Sequence, residues 1–120
     1  MPRDVEALLD ILTSARIAVG YAAGLTLEDF LDDLQAQDSI IRRLEIIGEA
    51  ARRLSDDGRR LLPGVPWADV IGLRNVVIHQ YDAIDLFAIW ETVKSDLNPL
   101  IEAIEPLLPR EDDVQPDAHK

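Results

Sequence analysis

Apolar residues near the start of the chain recur at helical steps. Val5, Leu8, Leu9, Leu12, Ala15 and Val19 fall three or four positions apart, the spacing that lines one face of an α-helix. The pattern predicts a helix over residues 4–23, ended by Gly24, which is able to take positive φ as a cap. Thr26 reads as the next N-cap, with Asp29 three positions on, where a capping box usually carries Glu or Gln. The second helical region runs to about Leu54, with a break expected near Gln37-Asp38-Ser39. In its later half Ile40, Leu44, Ile47, Ala51 and Leu54 follow in steps of four, three, four and three. Such a seam suits packing against another helix.

Asp56-Asp57-Gly58 reads as a turn, followed by a short helical turn through Leu62. Pro63-Gly64-Val65-Pro66 then interrupts regular structure. Pro66 or Trp67 can open the next helix, because proline is tolerated in a first turn. The last helix begins near Asp82 or Asp85 and buries Leu86, Trp90, Val93, Leu97, Ile101 and Ile104. Pro99 lies inside it and predicts either a kink or a restart with Asn98 as cap. No internal repeat and no convincing strand interrupts this series. The expected fold is all-α, an up-and-down bundle of four main helices plus a short helical turn. It occupies residues 1–108, and 109–120 form an acidic, disordered tail.

Composition narrows the picture. The 120 residues are 48% hydrophobic but only 5% aromatic, which fits one globular domain and favours helix over sheet. Cysteine is absent, excluding disulfides and thiolate metal sites and fitting a reducing compartment. No signal-peptide pattern or membrane-length apolar run is present, so a cytoplasmic protein without membrane attachment is expected. The net charge of −11 argues against nucleic-acid binding by bulk electrostatics. Yet Arg42, Arg43, Arg52, Arg53, Arg59 and Arg60 cluster in one segment, leaving room for a local basic face. The plainer reading is a solvated helix face.

The densest chemistry lies in Leu73-Arg74-Asn75-Val76-Val77-Ile78-His79-Gln80-Tyr81. A guanidinium presents a fixed fork of donors to phosphate oxygens, and an imidazole exchanges protons near neutral pH. On a regular helix Val70, Leu73 and Val77 share one stripe, and Arg74 and Tyr81 lie near its edge. His79 would project about 140° from Arg74. Either the helix changes course near His79, or a second subunit completes the site. Val76 and Ile78 make the helix apolar on several sides, which suits burial in a bundle or a two-fold interface. Other chemistry is thin. Gly20-x-x-x-Gly24 reads as close packing or a cap rather than a phosphate loop. The second histidine, His119, is in the tail, so no metal site is expected. Asp32, Asp33 and Asp38 could hold Mg²⁺ weakly, but such runs are usually solvated faces.

The spacing R-x-x-x-x-H-x-Y, with Asn75 after Arg74, resembles the HepT-like toxins of the HEPN superfamily. Tyr21, Gly24, Glu28 and Phe30 share the likeness, as do Leu44-Glu45-Ile46-Ile47-Gly48-Glu49-Ala50-Ala51, Pro66-Trp67, Trp90, Val93, Asp96 and Leu97. Together these blocks cover roughly residues 3–107. The resemblance implies a dimer around a shared cleft and an endoribonuclease needing no metal or other cofactor. It makes Arg74 and His79 catalytic, and Asn75 a residue that positions phosphate or holds the helix end. It also implies a minimal nucleotidyltransferase (MNT) antitoxin as partner, able to transfer AMP to Tyr81. Glu49 is a candidate to orient Arg74 or His79.

Each residue also has a plainer role. His79 could be a structural residue near a helix end, and Arg74 could pair with Glu49 or Glu45. Tyr81 could be a core ring with its hydroxyl at the rim. The corresponding rivals to a nuclease are a non-catalytic module that binds a nucleotide or partner, and a purely structural bundle.

Overall fold

The computed structural model describes residues 2–73 and 85–108. Among them there is no strand. The helices are α1 (Pro2–Ala23), α2 (Leu27–Asp32), α3 (Leu34–Arg53), α4 (Asp56–Arg60), α5 (Trp67–Ile71), α6 (Leu86–Glu91) and α7 (Leu97–Ile104). A π-helical turn, Thr92–Asp96, joins α6 to α7, and a 3₁₀ turn, Glu105–Leu107, ends the described chain. None of the described helices is long and apolar enough to cross a membrane.

The core forms where α1 lies along α3, with α7 and the π turn closing one side and α5 packed on α3. On α1 the buried face is Ala7, Leu8, Ile11, Leu12, Ala15, Ala18 and Ala22. This corrects the predicted stripe, since Val5 and Leu9 point outward at 46% and 51% exposure. The alanines decide the orientation, because small side chains let the α3 backbone approach. On α3 the predicted seam holds: Ile40, Leu44, Ile47, Ala51 and Leu54 are all buried.

Two boundaries move, and one end forms without its expected cap. The helix break falls at Asp33 rather than at Gln37–Ser39; Asp33 Oδ1 accepts the Ala36 N–H at 3.0 Å and so caps α3. Gln37 then ties the joint, its Nε2 donating to the Phe30 and Leu31 carbonyls at 2.9 and 3.1 Å. Gly24 takes no positive φ; the Leu25 N–H donates to Ala22 O and closes α1 without it. An added Cβ at Gly20 or Gly24 would meet nothing within 4 Å, so neither glycine marks close packing in the described chain. The Thr26 capping box forms as predicted, with Asp29 in the Glu position.

Residues 56–58 begin a helix instead of a turn, because Ser55 Oγ accepts the Gly58 N–H at 3.0 Å. Asp4 on α1 fixes this junction. Its carboxylate accepts the Ser55 N–H at 2.9 Å and the Ser55 hydroxyl at 2.6 Å. A Cβ on Gly58 would lie 2.8 Å from that carboxylate, so any side chain there would have to push Asp4 out of its place against Ser55. The Ser55 hydroxyl and amide, named in order of weight, hold the Asp4 pKa below the usual aspartate value. A depressed folded-state pKa means this stabilisation is present above about pH 4 and fades as the pH falls through the folded value. Asp4→Asn is therefore expected to lower stability at pH 7 and to flatten the acid limb of the stability curve. Urea titrations from pH 7 to pH 3 check this; parallel curves for both proteins would remove Asp4 from the account.

The C-terminal helix carries a second correction. The restart at α7 falls at Leu97 with Asp96 before it, not at Asn98. Pro99 crowds the carbonyl four residues back, at Ser95, and offers no N–H. The wider π turn immediately before α7 is where the chain takes up that conflict.

Candidate functional site

Arg74, Asn75, His79 and Tyr81 lie outside the described residues, as does the 109–120 tail. The structure does define what flanks the motif segment. Upstream, the Trp67 indole Nε1 donates to the Arg59 and Leu62 carbonyls at 3.1 and 3.2 Å. Buried Trp67 and Val70 thereby hold α5 against the core, and partly buried Leu73 follows. Downstream, Asp85 caps α6 by accepting the Ala88 N–H at 3.1 Å. Phe30 and Trp90 then stack at 5.1 Å between ring centroids, pinning α6 to α2. Both ends of the motif segment are thus set by buried aromatic anchors. Phe30, Trp67 and Trp90 were visible in the sequence, but not the partners that give them this task.

Glu49 sits half-buried on α3, the helix against which α5 packs. Glu45, the other carboxylate considered for Arg74, lies 3.7 Å from Arg42. The arginine cluster resolves mostly into internal pairs. Arg53 meets Asp10 at 2.8 Å, Arg59 lies 3.7 Å from Asp56, and Arg60 bonds Asp57. Arg43 reaches the Ser14 hydroxyl at 3.5 Å. Exposed pairs like these contribute at most about 1 kcal/mol each, but they offset much of the charge that a basic RNA-binding face would need.

A groove of about 500 Å³ runs between the 62–66 loop, α5 and α7. Its walls include Leu62, Val65, Val70, Leu73, Leu97 and Leu100, with Asp69 and Asp96 at the edge. An apolar lining with two carboxylates is unsuited to holding phosphate.

An all-helical bundle with an R-x-x-x-x-H-x-Y segment between two aromatic-anchored helices defines a class. The family model described as Ribonuclease HepT-like matches residues 11–107, and the chain belongs to that family. It is 39% identical over 104 residues to the protein named Putative RNase MJ1380 of Methanocaldococcus jannaschii, covering 86% of this chain and 95% of the relative. It is 37% identical over 102 residues to the Probable ribonuclease HepT of Thermococcus cleftensis, covering 85% and 93%. A third relative, named Putative RNase TTE0752, from Caldanaerobacter subterraneus subsp. tengcongensis, is 32% identical over 101 residues, covering 84% and 90%. No solved structure matches the chain.

Proposed function

We propose that this protein is the toxin of a type VII-like toxin–antitoxin pair, a metal-independent endoribonuclease with Arg74 and His79 as its catalytic residues. The observation that carries the reading is the Arg74–His79–Tyr81 spacing inside a chain whose family match runs from residue 11 to residue 107. RNA brings its own nucleophile. The 2′-oxygen attacks phosphorus, the bond to the 5′-oxygen breaks, and the products are a 2′,3′-cyclic phosphate and a 5′-hydroxyl. One proton leaves the 2′-hydroxyl and one reaches the departing 5′-oxygen, and His79 acts as the general acid or the general base in this exchange. Arg74 stabilises the charge that gathers on the phosphoryl oxygens. Asn75 positions the phosphate, and Glu49 orients the cationic pair. A two-fold dimer brings two such sets to one cleft and removes the 140° divergence of a single regular helix.

The partner is a nucleotidyltransferase antitoxin of the MNT type. The Tyr81 oxygen attacks the α-phosphorus of ATP, pyrophosphate leaves, and the tyrosine proton is released. An anionic AMP group beside Arg74 would then occupy the substrate phosphate site and repel RNA. The net charge of −11 favours one rival, a module that binds nucleotide or partner without cleaving RNA.

Incubating a labelled cellular RNA pool with mass-checked, unmodified protein in EDTA separates the two. Cleavage leaving cyclic-phosphate ends is expected. Intact RNA across a range of substrates, with nucleotide or partner binding retained, would establish the module instead.

A further inference from the structure

Core packing and the Arg74–His79 chemistry leave one strip of the C-terminal helix without a role. Phe87, in the first turn of α6, is 62% exposed. One turn on, the half-buried Trp90 stacks on Phe30, and Lys94 Nζ lies 5.1 Å from the Trp90 ring centroid. Positions 90 and 94 are four residues apart, the spacing that puts two helical side chains on one face. Among the described residues no carboxylate lies within ion-pair distance of Lys94, unlike most of the arginines above. The strip therefore offers an exposed aromatic ring, Phe87, and two turns or about 10 Å further along the axis an ammonium whose place is set by the Trp90 ring between them.

An exposed aromatic and, two turns along the same helix, a cation with no ion pair among the described residues suit a base and a phosphate of the same strand. Stacking is also the interaction an acidic protein can best use, since it needs no positive field. Asp85, Glu91 and Asp96 are opposing charges on the same stretch of chain. Glu91 is three residues before Lys94 and accepts a hydrogen bond from the Ser95 hydroxyl at 2.8 Å, which turns its carboxylate toward Ser95. The covalent chain limits the separation from the proposed catalytic residues. Phe87 follows His79 by eight residues, at most about 29 Å even if fully extended.

We propose that Phe87 and Lys94 form a subsite for single-stranded RNA, with a base stacked on the Phe87 ring, a phosphate of the same strand on Lys94, and Trp90 as a positioning residue. The inference rests on RNA being the substrate. Its test is the binding of short, fluorescein-labelled single-stranded RNA to the full chain carrying His79→Ala, read by anisotropy. Phe87→Leu is expected to weaken binding by about 5- to 100-fold, while Phe87→Tyr, which keeps the ring, stays close to the parent. Lys94→Ala should weaken binding and reduce its salt dependence by roughly one phosphate contact. Equal binding by Phe87→Leu, or no RNA binding by the parent, would overturn the proposal. So would sedimentation showing that Phe87→Leu breaks a dimer, which would assign the strip to a second copy. If the protein without His79→Ala cleaves RNA while Phe87→Leu binds normally, only the subsite fails. If it cleaves nothing but binding still depends on Phe87, the nuclease reading fails and the subsite stands.

Discussion

Replacing His79 by alanine is expected to lower RNA cleavage by about 10²–10⁴-fold, the usual contribution of a positioned general acid or base. RNA supplies its own nucleophile, so proton transfer and phosphate stabilisation are all the protein must add, and the loss of one leaves the other. Some residual cleavage through Arg74 should therefore remain. The comparison is made in EDTA on protein whose circular dichroism and urea midpoint match the parent. His79→Ala should also relieve any growth arrest caused by the parent in cells. Unchanged cleavage by a folded His79→Ala protein would remove the histidine from the mechanism.

The largest effect on stability is expected at Phe30. Its side chain is fully buried, and its ring lies against Trp90. Phe30→Ala should cost about 3–5 kcal/mol, combining lost burial with the cavity left behind. A domain of ordinary stability has only about 5–15 kcal/mol to lose. The damage should also be local, since Phe30 is the main link from the six-residue α2 to α6, just beyond the motif segment. Urea denaturation would measure the loss, and the near-ultraviolet signal of Trp90 would report the altered ring environment. A cost below about 1 kcal/mol would mean that α2 collapses onto the vacated space more fully than its short length suggests.

The sequence made the helical class legible because the α3 seam repeats at steps of three and four, and those positions are the buried ones. It misjudged α1 because hydrophobicity alone ranks Val5 and Leu9 above Ala7 and Ala18. Close packing reverses that order where two helix backbones approach. The break at Asp33 and the start of α4 turned on single side-chain-to-backbone bonds, from Asp33 and from Ser55, to which periodicity is blind. The Asp4–Ser55 contact joins residues 51 positions apart and has no local signature. The candidate site was legible in another way. Its residue types and spacing name a chemistry and a family, but spacing alone left Arg74 and His79 diverging. The arginine cluster illustrates the opposite hazard, since side chains that looked like a basic face in one dimension meet their own acids in three.

The π turn at Thr92–Asp96 carries a consequence for inheritance. A π turn holds one residue more than an α turn, so the C-terminal helix is one rod with two phases. The extra residue lets the half bearing Phe87 and Trp90 and the half that carries Leu97, Leu100 and Ile104 into the core each keep its own face. Loss of a single residue within Thr92–Asp96 would leave an ordinary α turn with both halves still facing as they do, whereas loss of one residue from the α-helical stretch on either side would turn part of the rod by about 100°.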